Sequence, residues 1–145
     1  MTLTLDANIW LAASDPREPY FDDAVRLFVT IARNRTDIVC PTLVVVETAC
    51  SAARKARNAD AGTAMEKVVL ATPRLHLMVL DEALAGTAAS LGGSLRLRGA
   101  DAVYAAVAAR AGSTLITLDR ELRERAVSDL PCITPAEWLA GLMGV

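Results

Sequence analysis

Four acidic residues, spread over most of the chain, occupy positions where a parallel α/β sheet places its functional groups. Asp6 and Asp119 each follow an apolar, strand-like run directly, and Asp101 begins a helix after a short loop. Glu47 lies early in the helix that follows the second predicted strand. Sites in open parallel sheets form beyond the carboxyl ends of the strands. The spacing therefore predicts that these four carboxylates converge on one site.

The sequence around Asp6 and Glu47 favours a functional role for both residues. Glu47 stands in the stretch LVVVETAC, with no charged neighbour closer than Arg54, and Asp6 stands in LTLDANIW. These surroundings predict a largely buried Glu47, and a buried carboxylate without a partner is unfavourable. Each acid also has a structural alternative. Asp6 could be a turn residue, Glu47 a partner of Arg54, and Asp101 and Asp119 could be helix N-caps.

A divalent cation would make such a cluster favourable. Two carboxylates about 4 Å apart repel each other by roughly 4 kcal/mol at an effective dielectric constant near 20, and a cation reverses that sign. Oxygen-only ligands favour Mg²⁺ or Mn²⁺ over zinc, because the sole histidine, His76, lies in a predicted strand and no cysteines are paired by spacing. Such an ion can activate water and orient a phosphodiester without a protein nucleophile.

Strands alternating with helices must position these residues. The predicted strands are Thr2–Leu5, Asp37–Cys40, Leu75–Leu80, Ser113–Leu118 and Cys132–Thr134. The predicted helices are Phe21–Arg33, a helix from Pro41 or Thr42 through Ala56, residues 60–71, Glu82–Leu91 ending at Gly92-Gly93, Asp101–Ala111 closed by Gly112, a short helix from Asp119 or Arg120, and a terminal helix from Pro135. This order predicts a three-layer α/β/α fold with a central parallel sheet.

Length, composition and charge limit the number of domains and the classes of function that the sequence allows. The 145 residues suit a single domain covering positions 1–145, and 53% of them are hydrophobic, enough for a full core. The net charge of −2 excludes a protein that coats nucleic acid by neutralising many phosphates. An odd set of cysteines, Cys40, Cys50 and Cys132, predicts buried reduced thiols. Because neither a secretory signal nor a membrane span is recognisable, we expect a cytoplasmic protein.

At the acidic positions the sequence resembles the PIN-domain ribonucleases, and within them the VapC-like toxins of bacterial toxin–antitoxin pairs. The matching pieces are LDANI at 5–9, VET at 46–48, RGADAVY at 98–104, and Leu118-Asp119 preceded by Thr117. The resemblance implies Mg²⁺- or Mn²⁺-dependent endoribonuclease activity, frequent homodimers and inhibition by a small antitoxin. By position it makes Asp6, Glu47, Asp101 and Asp119 the acidic quartet, with Asn8 and Thr117 as polar supports.

Other residues near these motifs have two interpretations each. Thr117 lies two residues before Asp119, so both side chains leave the same side if the strand extends that far, and the alternative is a β-branched residue that serves strand propensity. Glu121 could reach a second metal through water, although a solvated helix position is the simpler interpretation. Arg54 and Arg98 are the proposed RNA phosphate contacts, and the alternative is that they serve solubility and the helix dipole as surface charges at helix ends. Trp10 and Tyr104 could stack on bases, but core packing is expected for both.

Three alternatives compete with a metal-dependent ribonuclease. A phosphohydrolase of the haloacid-dehalogenase type needs a second aspartate two residues after the first, and Asn8 occupies that position. A phospho-accepting receiver domain needs paired acids after the first strand and a late lysine, both absent from the sequence. A PIN-like module that only binds a partner would not need an intact quartet.

Overall fold

Five short parallel strands form the central sheet of the computed structural model, which describes residues 1–126 and 129–144. They are β1 (Thr2–Leu5), β2 (Asp37–Pro41), β3 (Leu75–Met78), β4 (Thr114–Ile116) and β5 (Cys132–Ile133), arranged in the order β3-β2-β1-β4-β5. Every neighbouring pair is parallel. Parallel strands need crossover connections, and the helices between them provide these.

Helices flank the sheet and complete the three layers. They are α1 (Ala7–Ala13), α2 (Phe21–Asn34), α3 (Leu43–Ala56), α4 (Ala59–Leu70), α5 (Glu82–Leu95), α6 (Gly99–Ala111), α7 (Arg120–Arg125) and α8 (Pro135–Met143). The predicted three-layer α/β/α architecture with a central parallel sheet is confirmed. No helix in the described parts of the chain is long and apolar enough to cross a membrane.

The strand order places a topological switch point at the carboxyl ends of β1 and β4. From β1 the chain builds outward through β2 to β3, and it then returns to add β4 and β5 on the other side. Leu5 at the end of β1 pairs with Ile116 at the end of β4, and the Asp6 amide donates to the Ile116 carbonyl at 3.0 Å. Crevices at such switch points are where open α/β sheets bind ligands. Asp6 and Thr117 therefore lie together at the edge of the sheet where ligand binding is expected.

Several predicted boundaries differ from the structure. Strands β3 and β4 are shorter than predicted, and β2 includes Pro41 because that residue is the last in register with β3. Residues 7–13, which had no predicted element, form α1. Helix α6 begins at Gly99, so Asp101 is its third residue and not its N-cap. The cysteine prediction is wrong for Cys50, which is exposed, whereas Cys40 is buried and Cys132 is partly exposed.

Helix α5 continues through Gly92-Gly93 to Leu95, contrary to the prediction that these glycines end it. The helix ends only where Arg96 adopts the left-handed conformation, with φ 56°. Gly92 is buried, and an added Cβ would lie 2.7 Å from the Ala102 Cβ on α6. Gly92 thus allows α5 and α6 to approach each other closely, and it serves packing rather than helix termination.

Replacing Gly92 with alanine is therefore expected to destabilise the fold. The new methyl group must push α5 away from α6, so we expect the free energy of unfolding to fall by about 1–3 kcal/mol. A Cβ added at Gly86, on the same helix, would meet nothing within 4 Å, and Gly86→Ala should raise stability by about 0.5–1 kcal/mol through helix propensity alone. Urea unfolding measures the change in the free energy of unfolding for each variant. Equal changes in the two variants would refute the close packing of α5 against α6 at Gly92.

Candidate active site

Asp6 is buried at the end of β1, and its side chain makes contacts that a simple helix cap would not make. It occupies the N-cap position of α1, but its carboxylate accepts no capping hydrogen bond. Instead Oδ2 accepts from the Thr117 hydroxyl at 2.6 Å and from the Asn8 side-chain amide at 3.0 Å. Both side-chain donors reach the same oxygen, so they fix the orientation of the carboxylate.

Thr117 and Asn8 belong to one hydrogen-bonded network that joins the ends of β1 and β4. The Thr117 hydroxyl also accepts from the Asn8 amide at 3.2 Å and from the Asp119 backbone amide at 3.0 Å. The Asn8 side-chain oxygen accepts from the Leu118 backbone amide at 3.3 Å. Thr117 is fully buried. The structure therefore brings together both residues that the sequence analysis named as polar supports, and it connects them to Asp6 and Asp119.

The carboxylates influence one another electrostatically. Burial, with smaller contributions from the negative charges of Asp101 and Glu47, raises the pKa of Asp6 to about 6, against the opposing hydrogen bond from Thr117. Burial and the charge of Asp119 raise the pKa of Asp101, which Arg98 partly offsets. The four predicted acids thus share one region of negative potential, and each added charge disfavours ionisation of the next.

Glu47 differs from its prediction in burial and in partner. Its side chain is only partly buried, and the described ion pairs do not join it to Arg54. Its Oε2 instead accepts a 2.6 Å hydrogen bond from the hydroxyl of Tyr104, a residue that is 1% exposed. Burial, followed by the hydrogen bond to Glu47, raises the pKa of the Tyr104 phenol. Tyr104 is thus a core residue with a contact in the site, which apolar spacing alone could not reveal.

Asp119 has one of the two roles that the sequence left open, that of a helix N-cap. Its Oδ1 accepts from the backbone amides of Glu121 at 2.8 Å and Leu122 at 3.2 Å, so it is the N-cap of α7. Capping uses one oxygen, which leaves the second one available for a cation. Asp101 lies in the first turn of α6 and is partly exposed.

The side chains in this region offer the donor atoms that a hard divalent cation prefers. Within residues 1–126 and 129–144, no three Asp, Glu, His or Cys side chains form a ready coordination cluster. His76 lies elsewhere, with its Nε2 3.1 Å from Asp37 Oδ1, so the site offers oxygen donors, which Mg²⁺ and Mn²⁺ prefer.

Comparison with known proteins identifies the family. The family model of the PIN domain matches residues 3–127. The chain belongs to the PIN-domain family. A search of curated protein sequences gives no match.

Solved structures similar to this PIN domain include toxins and toxin–antitoxin complexes. VapBC2 from Rickettsia felis, bound to a DNA fragment from its promoter, matches with a TM-score of 0.70 at 18% identity, over 92% of this chain and 98% of that one. VapC20 from Mycobacterium tuberculosis, a toxin that cleaves the sarcin-ricin loop, matches with a TM-score of 0.71 at 16% identity, over 88% and 98%. VapBC-1 from nontypeable Haemophilus influenzae matches with a TM-score of 0.67 at 16% identity, over 94% and 99%. At these identities the likeness establishes the fold.

Basic residues lie beside the acidic region of the PIN domain, but Arg98 is already paired. Its guanidinium donates to Glu121 Oε2 at 2.8 Å, and Arg125 lies 2.8 Å from Glu121 Oε1. Glu121 thus pairs with two arginines while its side chain, on α7, remains 40% exposed. Arg54, the other predicted phosphate contact, is exposed in the last turn of α3.

An apolar groove begins next to this site. It has a volume of about 770 Å³ and runs from Asn8 and Leu118 between α1, α3 and α4. Among the residues that line the groove, Lys55 forms ion pairs with both Asp15 and Glu18. Asp15 also pairs with Arg17. The hydrogen bonds from Arg17 and then Lys55 hold the pKa of Asp15 well below its ordinary value. The groove thus joins the acidic region to an apolar surface with a charged rim.

Proposed function

We propose that this PIN domain is an Mg²⁺- or Mn²⁺-dependent endoribonuclease in which Asp6, Glu47, Asp101 and Asp119 hold the metal. The observation that carries the proposal is the buried Asp6 carboxylate at the end of β1, whose Oδ2 is held by Thr117 and Asn8 and whose pKa is raised in part by the charges of Asp101 and Glu47. A buried carboxylate within electrostatic range of two further acids, at a sheet switch point, is unfavourable for folding and suits cation binding. Perturbed acids in such a position are typical of functional sites.

Hydrogen bonds within the chain would orient the acids of this site before a metal binds. Thr117 and Asn8 hold Oδ2 of Asp6, so that its other oxygen keeps a fixed direction. The cap to α7 holds Asp119 in the same manner. When bound, the metal would supply charge stabilisation for the phosphodiester and a water of lowered pKa. Such preorganisation by neighbouring hydrogen bonds is what metal sites in proteins generally require.

RNA is the proposed substrate because of the family resemblance and the distribution of charge. VapC20, which shares the fold, cleaves the sarcin-ricin loop. A net charge of −2 does not suit extended binding along a duplex, and single-stranded or looped RNA can insert a few nucleotides into a small site. The comparison protein supports a loop as substrate without identifying the one that this chain cuts.

We further propose that the protein is a cytoplasmic toxin, forms a homodimer and is inhibited by a small antitoxin. The support is the fold shared with VapBC complexes and with a toxin–antitoxin complex from Klebsiella pneumoniae. The apolar groove that starts at Asn8 and Leu118 would let an inhibitor segment reach the acidic site. A short gene immediately upstream should encode the partner, and co-expression with it should abolish cleavage. Lack of inhibition would refute the antitoxin proposal while leaving the nuclease proposal intact.

Metal dependence tests the nuclease proposal. Purified protein, free of antitoxin, is incubated with structured RNA in Mg²⁺, Mn²⁺ or EDTA, and fragments are resolved by gel electrophoresis. We expect internal cleavage with either ion and none in EDTA. Cleavage that persists in EDTA would contradict a metal-dependent mechanism. Absence of cleavage by a protein that binds both ions and RNA would favour a PIN-like binding module, and phosphate release from small phosphoesters alone would favour a phosphohydrolase.

The pairing of Arg98 gives a prediction about RNA binding. A phosphate that contacts Arg98 must displace the Glu121 carboxylate, and this exposed pair is weak enough to be exchanged. Glu121→Gln should therefore lower KM for RNA about two- to fivefold with little change in kcat. Arg98→Gln should raise KM and reduce the salt dependence of binding. If Glu121→Gln instead lowers kcat and leaves KM unchanged, Glu121 serves the metal and not Arg98.

A further inference from the structure

Tyr104 links two of the four acidic positions through a single helix. It lies three residues after Asp101 in α6, so both side chains leave the same face one turn apart. Its hydroxyl crosses to α3 and donates to Oε2 of Glu47 at 2.6 Å. Helix α6 therefore carries one acid directly and holds a second acid through a hydrogen bond.

The contact is strong for a hydrogen bond between side chains. An O–H to carboxylate distance of 2.6 Å falls in the charge-assisted range of about 2.5–2.7 Å, where such bonds are roughly twice as strong as neutral ones. Tyr104 is 1% exposed, so its ring is held by the core and its hydroxyl has little freedom to move. Glu47 lies on a partly exposed helix face next to Val46, which is 57% exposed. The buried phenol is thus the rigid partner, and Glu47 is the side chain that it orders.

Core packing alone does not explain a tyrosine at position 104. A buried phenol must find a polar partner, whereas phenylalanine would fill almost the same volume without that requirement. The partner used is a carboxylate of the acidic site and not a backbone carbonyl. The bond occupies Oε2 and leaves Oε1 for a cation, as Thr117 and Asn8 do for Asp6.

We propose that Tyr104 is a positioning residue that fixes Glu47 relative to Asp101 and thereby makes the site selective for a small cation of the Mg²⁺ class over Ca²⁺. This inference rests on the proposed metal site. Mg²⁺ demands near-octahedral geometry at distances of about 2.0–2.1 Å, whereas Ca²⁺ accepts variable geometry at about 2.3–2.6 Å. A Glu47 that can swing freely would still serve Ca²⁺, but it would hold Mg²⁺ poorly.

The test compares metal affinities of Tyr104→Phe and wild-type protein. Isothermal titration calorimetry measures Kd for Mg²⁺ and for Ca²⁺ on the purified full chain. We expect Mg²⁺ affinity to fall at least about tenfold, as is usual when a residue that orients a ligand is removed, and Ca²⁺ affinity to fall much less. In cleavage assays over a range of RNA concentrations, kcat should fall while KM for RNA stays near the wild-type value.

Thr48→Val is the matched control for Tyr104→Phe. Thr48 is fully buried next to Glu47, and its hydroxyl donates only along its own helix, to the carbonyls of Val44 and Val45. The change removes a buried hydroxyl without touching the acidic site, so the ratio of the Mg²⁺ and Ca²⁺ affinities should stay at the wild-type value. Circular dichroism establishes that both variants keep the fold.

A double-mutant cycle with Glu47→Gln separates positioning from general destabilisation. If Tyr104 acts through Glu47, Tyr104→Phe should change Mg²⁺ affinity little further in the Glu47→Gln background. An unchanged ratio of Mg²⁺ to Ca²⁺ affinity in Tyr104→Phe, or full additivity in the cycle, would overturn the inference. Failure of the wild-type protein to bind either ion would instead overturn the proposed metal site itself.

Discussion

Substitution of Asp6 by asparagine is expected to reduce RNA cleavage by on the order of a thousandfold or more. Metal charge stabilisation supplies several kcal/mol to phosphodiester cleavage, and each ~1.4 kcal/mol is a factor of ten in rate. Asparagine keeps the shape of the side chain and can still accept from Thr117 and Asn8, which are the two donors to Oδ2. The change therefore removes charge from the site with little change in packing.

Single-turnover cleavage of a structured RNA at saturating Mg²⁺ measures this loss. Asp101→Asn should show a similar loss, because Asp101 contributes to the same negative potential around Asp6. Asp22→Asn is the control, since Asp22 is an exposed carboxylate in the first turn of α2. Wild-type rates in both Asp6→Asn and Asp101→Asn would exclude the proposed site, whereas a loss in Asp22→Asn would point to a general effect of charge.

The backbone framework was predictable because its determinants are local. Apolar periodicity and the prolines and glycines between elements predicted the strand–helix alternation, and strand-end position alone brought Asp6 and Asp119 to one edge. Thr117 was predicted as a polar support from the family resemblance, and its spacing to Asp119 was compatible with that role. The errors lie where tertiary contacts override local rules, as at Gly92, where the approach of Ala102 explains a glycine that looked like a helix stop.

The partners of the acids were harder to predict than the acids themselves. Glu47 was expected to be buried among valines, but Val46 is exposed and the Tyr104 hydroxyl satisfies Glu47 from 57 residues away in sequence. Glu121 and Arg98 are likewise joined across 23 residues. Sequence spacing reports which face of an element a residue occupies, but it does not report which face of another element lies opposite. Only the packed structure identifies such pairs.

Asp6→Asn is also expected to stabilise the metal-free protein. Burial, together with the charges of Asp101 and Glu47, raises the pKa of Asp6 from 3.8 to about 6, so its ionised form is disfavoured in the folded state. Because the folded pKa is the higher one, the unfolded chain loses its proton first, and folding is penalised increasingly as pH rises from about 4 to about 6. A shift of about two units corresponds to about 3 kcal/mol at neutral pH, of which we expect asparagine to recover about 1–3 kcal/mol.

Urea unfolding in EDTA at neutral pH, and again below pH 4, measures this gain in stability. The difference between wild type and Asp6→Asn should be large at neutral pH and should vanish in acid, where the wild-type carboxyl is protonated in both states. Added Mg²⁺ should stabilise the wild type by mass action and leave the variant unchanged, which reverses their order. A metal-free Asp6→Asn protein that is less stable than wild type at neutral pH would show that the acids are not crowded. If both expected results are obtained, the same substitution removes activity and adds stability, which is typical of a residue that binds a cation and does not stabilise the fold.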